Sequence, residues 1–246
     1  MKRIVIIGAT SAIANACARI WAEEYAAFFL VGRDAEKLCQ ISDDLMARGA
    51  SSVHQYVLDL NRFDEHAAML EACFATFGQV DLVLIAHGTL PDQKACEQDL
   101  NLALREFSSN GLSVIALLTL LANRMEAQRF GTIAVISSVA GDRGRASNYL
   151  YGTAKAAVST FCEGLRARLF KVGVRVLTIK PGFVNTPMTK DLRLPALLVA
   201  PPGRVSKEIQ SAIKKGKDTI YTPWFWCLIM GLIRFLPTAL FKRMRL

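Results

Sequence analysis

The sequence predicts an α/β domain built on a doubly wound parallel sheet, with helices covering both faces as three layers. Three observations carry that prediction. Short runs that are apolar at every position alternate with longer stretches of helical period, and strands buried on both faces lose the polar alternation of a half-exposed sheet. The connections between successive runs are long enough for a helix, as parallel pairing requires. The composition suits a large core: 246 residues, 52% hydrophobic and 21% charged, the reverse of a disordered chain's balance.

The elements follow in order. Ile4 to Ile7 make the first strand, and a helical pattern runs from about Ala12 to Tyr25. Phe28 to Val31 make the second. Asp34 stands where the N-cap of a helix running toward Arg48 belongs, because a carboxylate there accepts from unpaired first-turn amides. Residues 53–58 are a third strand, residues 63–77 a helix and residues 80–86 a fourth strand. A helical region from about 98 to 129 leads to a fifth strand at 132–137, and a helix around 150–171 precedes a sixth at 174–179. No repeat or low-complexity linker interrupts the series, so one domain accounts for residues 1–222. Residues 182–206 break the rhythm: Pro187, Pro195, Pro201, Pro202 and Gly203 predict a loop-rich excursion with a short helix, where a substrate lid belongs. A basic helix near 204–216 and a short last strand at residues 219–221 follow. Residues 223–246 then turn aromatic, aliphatic and basic.

Charge and cysteine usage exclude several classes. The chain carries 30 Lys and Arg against 21 Asp and Glu, a formal +9, but nine basic and only two acidic residues fall in 203–246. The excess therefore belongs to one terminal segment rather than to a nucleic-acid-binding face. Cysteines 17, 39, 73, 96, 162 and 227 form no C-x-x-C pair, which argues for free thiols in a reducing cytoplasm and against a metal site or disulfide framework. Met1-Lys2-Arg3 is followed by only four apolar residues before Gly8, too few for a secretory signal.

Two constellations carry chemistry. The turn Gly8-Ala9-Thr10-Ser11-Ala12-Ile13-Ala14 joins a buried strand to a helix through small residues, so backbone amides at the helix start can approach a pyrophosphate. Any strand-to-helix connection needs a tight turn, and the motif alone is weak. The second constellation is stronger. Ser138 ends the fifth strand, Tyr151 lies thirteen residues on, and Lys155 follows four later. Residues i and i+4 share a helix face, and a cation beside a phenol favours the phenolate, lowering a pKa that starts near ~10.

The spacing Ser138, Tyr151-Gly152-Thr153-Ala154-Lys155, with the small-residue turn and Pro181-Gly182-Phe183-Val184-Asn185-Thr186-Pro187, resembles the short-chain dehydrogenase/reductase family over residues 3–222. The resemblance implies a Rossmann domain, a nicotinamide cofactor and hydride transfer to a carbonyl. It implies Tyr151 as the general acid in reduction, Lys155 as its pKa partner and a ligand of the nicotinamide ribose, and Ser138 as the holder of the substrate oxygen. It further implies that Asn110 anchors a water in the proton relay, that Thr186 bonds the carboxamide, and that Asp59, followed by Leu60, reads the adenine. The cofactor would lie along Gly8, Thr10, Ser11, Ala12, Ile13, Arg33, Ala86, Gly88, Pro181, Gly182 and Val184. Two departures stand out: Ala12 and Ala14 replace turn glycines, and Ile85-Ala86-His87-Gly88 replaces an Asn-Asn-Ala-Gly segment. His87 reads as a packed or cofactor-adjacent residue. The second strand ends Val31-Gly32-Arg33, without the acid that reads ribose hydroxyls in NAD enzymes, so NADP(H) is favoured over NAD(H).

The tail bears on substrate. Its apolar stretch 224–233 is half the length of a membrane span. Three readings stay open: packing at a subunit interface, a wall of an apolar substrate tunnel, or peripheral association with a membrane surface. For the last, Trp224, Phe225 and Trp226 would sit at headgroup depth, with Lys214, Lys215, Lys217, Lys242, Arg243 and Arg245 on anionic lipid. The tail is similar to that of the reductase subunit of the decaprenylphosphoryl-ribose epimerase system, which implies a polyprenyl-phosphate keto-sugar substrate made by a partner oxidase. Alternatives are a reductase of 3-keto-acyl or 3-keto-sphingoid lipids and a catalytically silent scaffold. Family resemblance implies a homo-oligomer through the helices around 101–129 and 150–171.

Overall fold

The computed structural model of the protein describes residues 1–192 and 194–244; Arg245, counted above among the basic residues of the tail, lies outside them. The strands are β1 (Arg3–Ile7), β2 (Ala27–Gly32), β3 (Ser52–Val57), β4 (Leu82–Ile85), β5 (Thr132–Ile136), β6 (Arg175–Pro181), β7 (Phe183–Val184), β8 (Val199–Ala200) and β9 (Thr219–Thr222). Among the described residues, seven form one sheet in the order β3-β2-β1-β4-β5-β6-β9, every pair parallel. Ile7 pairs with Val31 on one side and Ile85 on the other. The order reverses between β1 and β4, which opens a crevice at the strand ends there.

Strand residues alternate between two cores. Ile4, Ile6, Phe28 and Leu30 face the layer of α1 (Ala12–Ala22), α2 (Ala35–Ala47) and, later in the chain, α8 (Pro202–Lys214). Val5, Ile7, Phe29 and Val31 face α3 (His66–Phe77), α6 (Ser113–Gln128) and α7 (Tyr149–Phe170). That is why these runs are apolar throughout: both faces are buried, and each large aliphatic contributes roughly 1.5–3 kcal/mol.

Several elements differ from expectation. The first helix stops at Ala22, and Tyr25 adopts a left-handed φ of 58° to turn the chain into β2. The region 98–129 is α5 (Leu100–Phe107), a π-turn over Ser108–Leu112, and α6. Asp99 starts α5 by accepting from the Leu102 amide at 3.0 Å. An unanticipated helix, α4 (Gln93–Gln98), is capped in the same way by Asp92. Within 182–206 the described residues are turns and a short helix at Ala196–Leu198, to which the structure adds the pairing of β7 with β8, and Pro202 starts α8 at a position where its missing N–H costs nothing.

The tail folds back onto the body as α9 (Trp226–Phe235) and α10 (Thr238–Phe241). Trp226 and Met230, one turn apart, are buried against Val139, Phe183, Leu198 and Tyr221. Arg143 closes the end of α9, donating to the carbonyls of Ile233 and Leu236 while its guanidinium stacks 3.8 Å from the Phe241 ring centre. A cation there complements the helix dipole. No helix among the described residues is long and apolar enough to cross a membrane.

Candidate active site

A cleft of about 500 Å³ opens where β1 to β6 end. Gly8 sets its floor. Its φ of +84° suits glycine, and a Cβ there would lie 2.5 Å from the His87 backbone nitrogen, so β1 and β4 approach too closely for any side chain. Thr10, Ser11, Ala12 and Ile13 line the cleft at the start of α1, whose first-turn amides have no partner within the helix.

Arg33 lines the cleft at the end of β2, exposed and without an ion pair among the described residues. Asp34 does not line it. The Asp34 carboxylate caps α2, accepting from the Lys37 amide at 3.0 Å, and that bond holds its pKa down. Asp59 and Leu60 follow β3 into the cleft wall. The buried His66 bonds the Leu60 carbonyl at 2.9 Å, and burial lowers its pKa. His87 sits between Ala86 and Gly88 in the same wall, its Nε2 2.7 Å from Ser113 Oγ. Burial brings its pKa down to about 3, so the ring is neutral near pH 7.

Ser138, Tyr151 and Lys155 meet at the β5 end. Ser138 starts the turn Val139–Asp142, its Oγ accepting from the Ala140 amide at 3.1 Å. Lys155, 2% exposed, donates from Nζ to the Ile136 carbonyl at 3.3 Å and stands 5.7 Å from the Tyr151 ring centre. The expectation that this cation pulls the phenol down is not what dominates. Burial pushes Tyr151 up to about 12, opposed by its hydrogen bond with Ser138. Burial also brings Lys155 down to about 8. The phenol is therefore protonated near neutrality, ready to give a proton rather than take one.

Asn110 is not brought to the cleft wall. It is buried in the π-turn, its Oδ1 accepting from the Thr89 amide and its Nδ2 donating to Thr89 Oγ1 and the Glu106 carbonyl, each at 2.9 Å. Pro181, Gly182, Val184 and Thr186 line the wall after β6. Thr189, which no sequence motif marks, ties this loop by donating to the Val184 carbonyl at 2.6 Å. Trp226 backs it: a Cβ on Gly182 would overlap the Trp226 indole. Beneath it Asp142 accepts from Lys180 Nζ and from Tyr221 OH, each at 2.7 Å. Arg145 and Asn148 also line the cleft and were not anticipated; nothing in Gly-Arg-Ala-Ser marks a pocket residue.

Comparison with known proteins agrees with the geometry. The family model described as short chain dehydrogenase matches residues 2–196. An uncharacterized oxidoreductase of Mycobacterium tuberculosis is 34% identical over 241 residues, 98% of this chain and 96% of the relative. One from Streptomyces coelicolor is 34% identical over 244 residues, 99% and 96% of the two chains. Among solved structures, a variant of actinorhodin polyketide ketoreductase with NADPH has a TM-score of 0.81 at 20% identity, covering 92% of this chain and 97% of that one. An alcohol dehydrogenase from the archaeon Thermococcus sibiricus, complexed with 5-hydroxy-NADP, has a TM-score of 0.78 at 21% identity, covering 90% and 95%. The protein is an oxidoreductase of the short chain dehydrogenase family.

Proposed function

We propose that the protein is an NAD(P)H-dependent ketone reductase. The observation that carries the reading is the meeting of Ser138, Tyr151 and Lys155 at one end of a cleft whose other end is a helix start and an unpaired arginine. The residues fit a nicotinamide dinucleotide: the Gly8 turn admits no side chain, and the α1 amides face the space where a pyrophosphate would lie. Gly8, Thr10, Ser11, Ala12 and Ile13 would hold the pyrophosphate, Asp59 and Leu60 the adenine, and Ala86, Gly88, Pro181, Gly182, Val184 and Thr186 the nicotinamide half. When bound, that cofactor supplies the hydride. Ser138 holds the ketone oxygen and stabilises the charge that develops on it. Tyr151, protonated near pH 7, gives its proton to that oxygen. Lys155 keeps a positive charge beside the phenol and holds the ribose. Asn110 would act from behind the wall, its side chain bonded to Thr89 and the Glu106 carbonyl.

Arg33 favours NADPH, since a guanidinium pairs bidentately with a 2′-phosphate, and Asp34 is committed to its cap. Titration with both cofactors tests this. Tighter NADPH binding that Arg33→Ala abolishes is expected; tighter NADH binding would overturn it.

We further propose a lipid-linked substrate, a keto-sugar on polyprenyl phosphate delivered by a partner oxidase at the cytoplasmic face of the membrane. Residues 223–246 would lie against the membrane as its interface segment, and a homo-oligomer would form through the helices around 101–129 and 150–171. Support comes from the outer side of the tail: Trp224, Leu228, Leu232, Phe235 and Leu240 are exposed beside Arg234, Lys242 and Arg243. An apolar strip flanked by cations suits an anionic lipid surface.

A further inference from the structure

The cleft holds one cation that neither the fold nor the proposed cofactor uses. Arg145 lies in the loop between the Ser138 turn and α7, six residues before Tyr151, and lines the cleft together with Asn148. Its guanidinium makes no ion pair and no hydrogen bond among the described residues, and its Nε is sealed from solvent. Asn148 Oδ1 is likewise sealed and without a donor. Burial pulls the Arg145 pKa down, yet an arginine keeps its proton in a protein. A charge therefore stands in a partly desolvated wall without a counter-charge, an arrangement that disfavours the empty site.

Nothing in the cleft compensates it. Asp59 is the one carboxylate among the described lining residues. Asp59 follows β3 and Arg145 follows β5, four strand spacings away in the sheet order, or roughly 19 Å. The other lining cations have other places: Arg33 stands at the end of β2, where the proposed 2′-phosphate would take it, and Lys155 is bonded to the Ile136 carbonyl. The cleft lining also includes the apolar side chains Leu90, Val139, Met188 and Leu192.

We propose that Arg145 is the anion-binding residue of the substrate site, taking a phosphoryl or carboxylate group on the ketone while Asn148 Oδ1 accepts from a substrate hydroxyl. The proposal rests on reading the cleft as a ketone-reductase site. The substrate it selects is an anionic, hydroxylated ketone with an apolar portion. The guanidinium fork matches both oxyanions, and the strength of charge-assisted bonds sets the expected preference.

The test compares dihydroxyacetone phosphate with dihydroxyacetone, and 4-oxopentanoate with its methyl ester, in NADPH-dependent reduction. The wild type is expected to favour one charged partner by about 10- to 100-fold in kcat/KM, mainly through KM, and whichever pair shows it names the anion. In Arg145→Ala that advantage collapses, and in Arg145→Lys part of it returns. An advantage that survives Arg145→Ala, or a wild type that favours neither charged ketone, overturns the proposal. A second readout needs no turnover: the larger of the rises in Tm given by dihydroxyacetone phosphate and by 4-oxopentanoate on protein saturated with NADP+. The rise is expected in the wild type and lost in Arg145→Ala; equal rises, or none in the wild type, overturn the subsite. If no ketone is reduced yet the Arg145-dependent rise is present, the reductase reading fails and the anion subsite stands.

Discussion

Tyr151 and Lys155 face opposite consequences of the same burial. Leaving water disfavours the charged form of each, so the phenol rises to about 12 and the ammonium falls to about 8. A pH dependence follows with a definite sign. Tyr151 stays protonated throughout the working range, whereas Lys155 holds its charge below about pH 8 and loses it above. Initial rates of ketone reduction should therefore be level from about pH 6 to 7.5 and decline above about 8. A profile level to about pH 10 would show that the Lys155 charge is irrelevant. Tyr151→Phe should lower kcat by about 10²- to 10⁴-fold with little change in Tm. In the wall proposed to hold the nicotinamide half, Gly182→Ala drives a methyl into the Trp226 ring. It should cost about 1–3 kcal/mol by chemical denaturation and weaken NADPH binding, and adding Trp226→Phe should restore part of both. What the sequence made legible at this scale is local: a Tyr and a Lys four apart, a Ser at a strand end. Arg145 was not legible, because its importance lies in what is missing around it, and only the folded cleft reveals that.

The elements divide between those that hold the cleft and those that hold the tail to it. The strands were readable because burial on both faces makes them apolar at every position, and their C-terminal ends bring six separate segments to one opening. The π-turn at Ser108–Leu112 was hidden because its period differs from the flanking helices by a fraction of a turn. The bond set of Lys180, Asp142 and Tyr221 was hidden because its partners are 38 and 79 residues apart. It is nonetheless structural: the side chains of Lys180 and Asp142 are 10% and 3% exposed. Asp142→Ala strands a buried ammonium and should cost about 3–5 kcal/mol, measured by denaturant titration. A loss under about 1 kcal/mol would mean that water replaces the carboxylate. On α9 the inward and outward sides separate by function. Changing Leu228, Leu232 and Phe235 together to Ser touches exposed positions only, so Tm should hold while flotation with anionic vesicles is lost. Retained flotation would sink the membrane proposal. Truncation of the tail is a poorer test, because it also removes the buried Trp226 and Met230.

At the scale of the whole molecule, the sheet order carries the argument. Reversal between β1 and β4 opens the crevice, and the chain populates it with a glycine turn, an unpaired Arg33, the Ser138, Tyr151 and Lys155 group, and Arg145. Net charge within the cleft is positive: Arg33, Arg145 and Lys155 face a single carboxylate among the described lining residues. Such a space attracts anions at both ends, a phosphorylated dinucleotide at one and an acidic ketone at the other. The tail reaches the same cleft through Trp226 and Gly182, so the helix that carries the exposed apolar strip also backs the wall proposed to hold the nicotinamide half.

The measurement that tests this account most directly is deuteride transfer. The protein would be incubated with NADPH carrying deuterium at the reactive nicotinamide carbon, alongside dihydroxyacetone phosphate and 4-oxopentanoate, and the alcohols analysed by mass spectrometry. The account predicts deuterium on the former carbonyl carbon of at least one product with the wild type, and essentially none with Tyr151→Phe. Absence of transfer to both ketones, or equal transfer by the Tyr151→Phe protein, would contradict it.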